Sequence, residues 1–140
     1  MSFLKNLFTS PGKEKTGIVF IVEDNPVYAK TLKSFLLSEF PWISDIRIFP
    51  VGETAVMSLN HNPDLIIMDY HLDVKYSDAE TGIEAIKQIR ATKPELNIIV
   101  LSAQTDIEVV LEAVKTYNCS YIKKDEDAFD RLAEIAKEVL

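Results

Sequence analysis

Four places in this 140-residue chain set a reactive side chain at the end of an apolar run. Residues 18–22 lead into Glu23-Asp24, residues 65–68 into Asp69, residues 98–101 into Ser102, and residues 120–122 into Lys123-Lys124. Brought together, they would assemble three carboxylates, a hydroxyl and an ammonium. Clustered carboxylates repel one another, and one is pushed toward its protonated form unless a cation compensates. Hard oxygen ligands with room for water suit Mg²⁺, which often pairs with a phosphoryl group. A carboxylate nucleophile beside that ion and a lysine is equipped for phosphoryl transfer, where catalysis is mainly in-line positioning and charge neutralisation. Taken singly, each residue has a plainer explanation. Acids favour a helix start, a strand can end in an acid, a serine can cap or turn the chain, and one of two adjacent lysines is commonly a solvated surface group. The set, not any one member, points to a site.

The elements that must position these residues alternate. The apolar run 18–22 has strand length. Asn25-Pro26 then opens a helix, with Asn as N-cap and Pro at the first helical position. Tyr28, Leu32, Phe35, Leu36 and Phe40 recur on it at helical spacing, and Pro41 ends it. A second strand is expected at 43–49 and a short helix at 52–60, with Ala55, Val56 and Leu59 inward. After the third strand, which runs into Asp69, a polar stretch precedes the capping box Thr81-x-x-Glu84 and a helix marked by Ile83, Ile86 and Ile89. The fourth strand, 98–101, is followed by a second capping box, Thr105-x-x-Glu108, and a helix carrying Val109, Val110, Ala113 and Val114. A short strand at 120–122 precedes a last helix striped by Phe129, Leu132, Ala133, Ile135, Ala136 and Val139. Five β-α units with uninterrupted apolar strands imply a parallel sheet covered on both faces by helices. In a doubly wound sheet the ligand site lies beyond the C-terminal ends of the strands, where the reactive residues stand.

Composition narrows the function. Lys and Arg number 15 against 22 Asp and Glu, a net charge of −7, which argues against nonspecific binding to nucleic acid or an anionic membrane. A single cysteine, Cys119, rules out an intramolecular disulfide and a Cys-based zinc site, and a reducing cytoplasm is its simplest home. No stretch is apolar for long enough to span a membrane. None of the four glycines, Gly12, Gly17, Gly52 and Gly82, forms a G-x-G-x-x-G or Walker A loop. Residues 1–16 read as a separate piece, either a frayed tail or a short docking or dimer-forming helix with Phe3, Leu4, Leu7 and Phe8 on one face. The domain proper is expected over 17–140.

Over that span the chain resembles the receiver domain of bacterial two-component response regulators. The resemblance rests on Ile21-Val22-Glu23-Asp24-Asn25, Gly52-Glu53-Thr54-Ala55, Pro63-Asp64-Leu65-Ile66-Ile67-Met68-Asp69, Ile98-Ile99-Val100-Leu101-Ser102-Ala103 and Tyr121-Ile122-Lys123-Lys124. It implies a flavodoxin-like α/β fold, with five parallel strands in the order 2-1-3-4-5 and five helices. By resemblance Asp69 is the phosphoacceptor. Asp24 and Asp69 bind Mg²⁺, Glu23 acts largely through water, and the backbone carbonyl of His71 completes the protein's ligands. Ser102 supplies the hydroxyl that meets the phosphoryl group, and small Ala103 leaves it room. Lys124, three residues after Tyr121, pairs with a phosphoryl oxygen, and Tyr121 is the aromatic that follows Ser102 in switching. His71 and Gln104 flank the phosphoryl group.

The chain departs from the family pattern in three ways. Asp73 stands where proline is usual. Gly82 comes thirteen residues after Asp69 rather than eight, which implies an insert bearing Asp73, Asp78 and Glu80. Lys124 is followed by Asp125 rather than proline. The resemblance implies a signalling protein that takes a phosphoryl group from a histidine kinase or phosphotransfer protein and catalyses only its own phosphorylation and dephosphorylation. Its readout would lie on the fourth helix, fifth strand and fifth helix. Because the sequence ends at Leu140, a stand-alone receiver is expected, with output through another protein, a homodimer or onward transfer. The alternative within the family is a degenerate receiver that binds partners without phosphorylation, which the altered stretch after Asp69 alone supports. An aspartyl phosphatase of the haloacid-dehalogenase type needs Asp-x-Asp, whereas Tyr70-His71 follow Asp69. A flavodoxin-type electron carrier needs a phosphate-holding first loop, which Glu23-Asp24 would repel.

Overall fold

The computed structural model describes residues 17–69, 82–103 and 107–140. Residues 1–16, the enlarged stretch after Asp69, and the expected cap residues Thr81 and Thr105 lie outside the described residues, as do His71 and Gln104. Strands and helices alternate as β1 (Gly17–Val22), α1 (Pro26–Glu39), β2 (Ile43–Phe49), α2 (Gly52–Met57), β3 (Leu65–Asp69), α3 (Gly82–Thr92), β4 (Asn97–Ser102), α4 (Ile107–Leu111), β5 (Ser120–Lys123) and α5 (Ala128–Val139). The strands form one parallel sheet in the order β2-β1-β3-β4-β5.

The central strands are rich in valine and isoleucine, and their alternate side chains enter two separate cores. Val19, Ile21, Leu65, Ile67, Ile99 and Leu101 face α1 and α5, where Leu32, Leu36, Leu132 and Ala136 close the layer. Phe20, Val22, Ile66, Met68, Ile98 and Val100 face the other way, against Ala55, Leu59, Ile86, Ile89 and Ala113. Burial on both faces is what the uninterrupted apolar runs require. Each fully buried Ile, Leu or Phe contributes about 1.5–3 kcal/mol over leaving it in water.

Local chemistry sets where the elements start and stop. The Asn25 side-chain oxygen accepts from the N–H groups of Val27 and Tyr28 at 3.0 and 3.1 Å, capping α1 directly after Glu23-Asp24. The helix expected over 52–60 is instead α-helical only to Met57 and continues as a 3₁₀ turn, Leu59–His61. Ser58 bonds back to the Thr54 carbonyl at 2.9 Å, and Asn62, left-handed at φ 55°, reverses the chain. Asp64 then receives the Ile18 N–H on its carboxylate at 2.8 Å and donates its own N–H to the Ile18 carbonyl at 2.8 Å, which pins the start of β3 to β1.

α4 passes into a π-helical turn, Glu112–Thr116, closed by the Tyr117 N–H on the Glu112 carbonyl. The wider turn shifts the apolar stripe. Of the apolar residues that this helix carries, Ala113 is buried, whereas Val114 is 39% exposed.

Candidate functional site

The sheet register carries the reactive residues to one edge. Val22 pairs with Met68, which sets Glu23 level with Asp69. Asp69 pairs with Leu101, one residue before Ser102, and Ser102 pairs with Lys123. Lys124 thus stands one residue beyond Ser102, and its N–H donates to the Ser102 carbonyl at 2.8 Å. From there its side chain reaches back across the strand ends. Its Nζ donates to Asp69 Oδ2 at 2.9 Å and to Glu23 Oε1 at 3.2 Å.

Glu23, Asp24 and Asp69 can each offer one carboxylate oxygen, all within 4.8 Å of one another. The Glu23 and Asp69 side chains are 1% and 2% exposed, and that of Lys124 is 16% exposed. Asp24 lies at the exposed mouth. Burial, and then the contact with Asp69 and its charge, push the Glu23 carboxyl up to about 8, against the opposing pull of Lys124. Burial alone would lower the Lys124 ammonium, but Asp69 and then Glu23 outweigh it and raise its pKa. Glu23 Oε2 is buried without a hydrogen-bond partner among the described residues. An all-oxygen donor set, an orphaned buried carboxylate oxygen and a carboxyl pushed toward its protonated form by burial and then by Asp69 all indicate a deficit of positive charge. The residues therefore fit a hard divalent cation such as Mg²⁺.

Ser102 ends β4 and is 3% exposed, and Ala103 follows it in an exposed bend. The Tyr121 hydroxyl makes a long contact of 3.5 Å with the Ser102 carbonyl, while its ring packs against the core containing Val100 and Ile86. The structure thus brings Glu23, Asp24, Asp69 and Lys124 together, and places Ser102 and Tyr121 on β4 and β5 with Ala103 just beyond β4. His71 and Gln104 lie outside the described residues.

One contact was not foreseen. The Lys124 ammonium sits 4.0 Å from the centre of the Tyr28 ring, in the first turn of α1. Helical spacing marks Tyr28 only as a core position. The available signal was an aromatic with a polar tip four residues after Asp24, just inside a capped helix.

The chain matches the family model of the response regulator receiver domain over residues 19–137. Among curated proteins it is 33% identical over 109 residues to the protein-glutamate methylesterase/protein-glutamine glutaminase of Trichodesmium erythraeum, covering 76% of this chain and 29% of that protein. It is 30% identical over 122 residues to the transcriptional regulatory protein DegU of Brevibacillus brevis, covering 86% and 49%. The chain therefore spans less than half the length of either relative.

Among solved structures, the signal receiver domain of a modulated diguanylate cyclase from Desulfovibrio desulfuricans superposes with a TM-score of 0.70 at 28% identity, over 89% of this chain and 94% of that one. The chemotaxis protein CheY4 of Vibrio cholerae shares the fold, with a TM-score of 0.73 at 19% identity, over 90% and 100%. None of the described helices is long and apolar enough to cross a membrane. By fold, by strand-end residues and by the match over most of its length, this chain belongs to the response regulator receiver domain family of two-component signalling.

Proposed function

We propose that this receiver accepts a phosphoryl group on Asp69 from the phosphohistidine of a cytoplasmic histidine kinase or phosphotransfer protein, and that the modified form presents a changed surface to a downstream protein or a second copy. The observation that carries this reading is the Lys124 ammonium bonded to Asp69 and Glu23 at the strand ends, with Asp24 beside them. An Asp69 carboxylate oxygen attacks phosphorus in line. The P–N bond to the donor imidazole breaks, its electron pair stays on nitrogen, and a P–O bond completes an acyl phosphate. Asp24 and Asp69 would hold Mg²⁺ directly and Glu23 through water, with the His71 backbone carbonyl as the further ligand that the family resemblance implies, and the bound ion would supply positive charge to the phosphoryl oxygens. Lys124 exchanges a carboxylate oxygen for a phosphoryl oxygen.

The Ser102 hydroxyl turns toward the phosphoryl group, with Ala103 too small to obstruct it, and Tyr121 follows Ser102. This shifts an existing equilibrium on the face made by α4, β5 and α5. By the family resemblance, His71 and Gln104, both outside the described residues, would flank the group, where they would orient or block the attacking water and so bear on the lifetime of the acyl phosphate.

The test is intact-protein mass after incubation with acetyl phosphate, with and without Mg²⁺. The expected result is a Mg²⁺-dependent gain of one phosphoryl group that is absent in Asp69→Asn. An Asn variant labelled at the same rate would overturn the assignment of Asp69.

A further inference from the structure

We propose that Tyr28 is a positioning residue for this site: its ring face fixes the Lys124 ammonium over the strand ends, and an aromatic stack between α1 and α5 fixes the ring. The inference rests on the phosphoryl-transfer reading above and adds to it a residue outside the strand-end set.

Lys124 Nζ lies 4.0 Å from the Tyr28 ring centroid, well inside the range at which a cation is drawn to an aromatic face. The Tyr28 ring in turn meets Phe129 edge-on, with centroids 5.7 Å apart and planes at 64°, and Phe129 lies against Phe35 at 5.0 Å. Two of these rings come from α1 and one from α5, so the stack spans the seam between the helices that cover this face of the sheet. The Asn25 cap, which bonds the Tyr28 N–H directly, sets where the ring starts.

The lysine needs such a support. Its four-carbon stem is flexible, and holding it in one rotamer costs side-chain entropy. Its two carboxylate contacts are also the ones that phosphoryl transfer disturbs. Once an Asp69 oxygen is bonded to phosphorus, the ammonium must trade that partner for a phosphoryl oxygen. The ring face is the contact that need not change. Attraction to a π face has little directional demand, so Nζ can move between oxygen acceptors without leaving the ring for water. Were Tyr28 only packing between α1 and α5, its truncation would lower stability and leave the rate of phosphorylation as it was.

Two measurements test this, the first the contact and the second its role. In protein labelled with ¹³C-lysine, the Lys124 Cε–Hε resonance, assigned through Lys124→Arg, is expected upfield of the other lysines through the ring current of Tyr28. The shift should persist in Tyr28→Phe and vanish in Tyr28→Leu. An unshifted Lys124 resonance in the wild-type protein overturns the proposal without any variant having to fold.

The second readout is phosphorylation by acetyl phosphate at saturating Mg²⁺. Tyr28→Leu should be roughly three- to tenfold slower than wild type, in keeping with a partly desolvated cation–π contact, and Tyr28→Phe should restore the rate. A Tyr28→Phe variant as slow as Tyr28→Leu would assign the effect to the hydroxyl and sink the ring argument. Wild-type protein that takes no phosphoryl group, from acetyl phosphate or a phosphohistidine donor, would refute the proposed function, whereas the resonance would still decide the contact between Tyr28 and Lys124.

Discussion

Lys124 and Asp24 share one site from opposite sides of its charge balance. The ammonium already occupies Asp69 Oδ2 and Glu23 Oε1, so it competes with an entering cation for carboxylate oxygens. Asp24 lies at the mouth and offers the third carboxylate of the cluster. Truncating the lysine therefore removes a competitor, whereas truncating Asp24 removes a ligand. Titration calorimetry with Mg²⁺ alone should show Lys124→Ala binding at least as tightly as wild type. Asp24→Ala should weaken by about tenfold or more, the scale of one lost charged ligand. Equal losses in the two variants would contradict this division. Lys124→Ala should still accept the phosphoryl group but bind its downstream partner no better for it, since the residue that meets the phosphoryl oxygen is gone. These residues were readable because each follows an apolar run on a strand whose end the fold brings to the same edge. Tyr28 was not, because one ring serves both as core packing on α1 and as a face for a lysine nearly a hundred residues later.

At the level of elements, the N-terminus of α2 presses against α3 through a glycine. A Cβ on Gly52 would lie 2.7 Å from the Ala85 Cβ, closer than two carbons can approach without a backbone shift. Alanine is favoured over glycine in a helix by up to about 1 kcal/mol, but overpacking costs about 1–3 kcal/mol. Gly52→Ala should therefore lower the urea midpoint, and Gly52→Ala with Ala85→Gly should recover part of the loss. A more stable Gly52→Ala would show that the helices can separate freely. The contact explains why glycine opens the motif Gly52-Glu53-Thr54-Ala55, which the sequence presents only as a pattern. Strands and helix starts were legible because apolar runs and caps are local. The π turn at Glu112–Thr116 was not, since a change in hydrogen-bond register leaves no local mark. Nor was the role of Arg90, whose guanidinium bonds the carbonyls of Tyr117 at 2.6 Å and Asn118 at 3.2 Å, and also that of Leu96. It ties α3 to the approach to β5 through backbone atoms that any sequence would carry.

For the whole molecule, burial and crowding of carboxylates at the strand ends should appear as a pH-dependent loss of stability in the metal-free protein. Glu23 has an ordinary value of 4.5 when unfolded and is pushed up to about 8 when folded, through burial and then Asp69. Below 4.5 both states hold the proton, and its contribution is fully present. Between 4.5 and about 8 the unfolded chain has released a proton that the folded one retains, so stability falls as pH rises and the contribution is gone above the folded value. Lys124, whose pKa is raised, stays charged throughout this window and does not cancel the slope. Urea midpoints measured in a chelator from pH 5.5 to 8.5 should fall in wild type and flatten in Glu23→Gln, which cannot ionise. Saturating Mg²⁺ should raise the wild-type midpoint more at pH 8.5 than at pH 5.5, because the cation supplies charge only where the carboxylates lack it. Parallel pH profiles for wild type and Glu23→Gln would mean that the strand-end carboxylates are compensated within the protein itself, and that the charge deficit ascribed to this site does not exist.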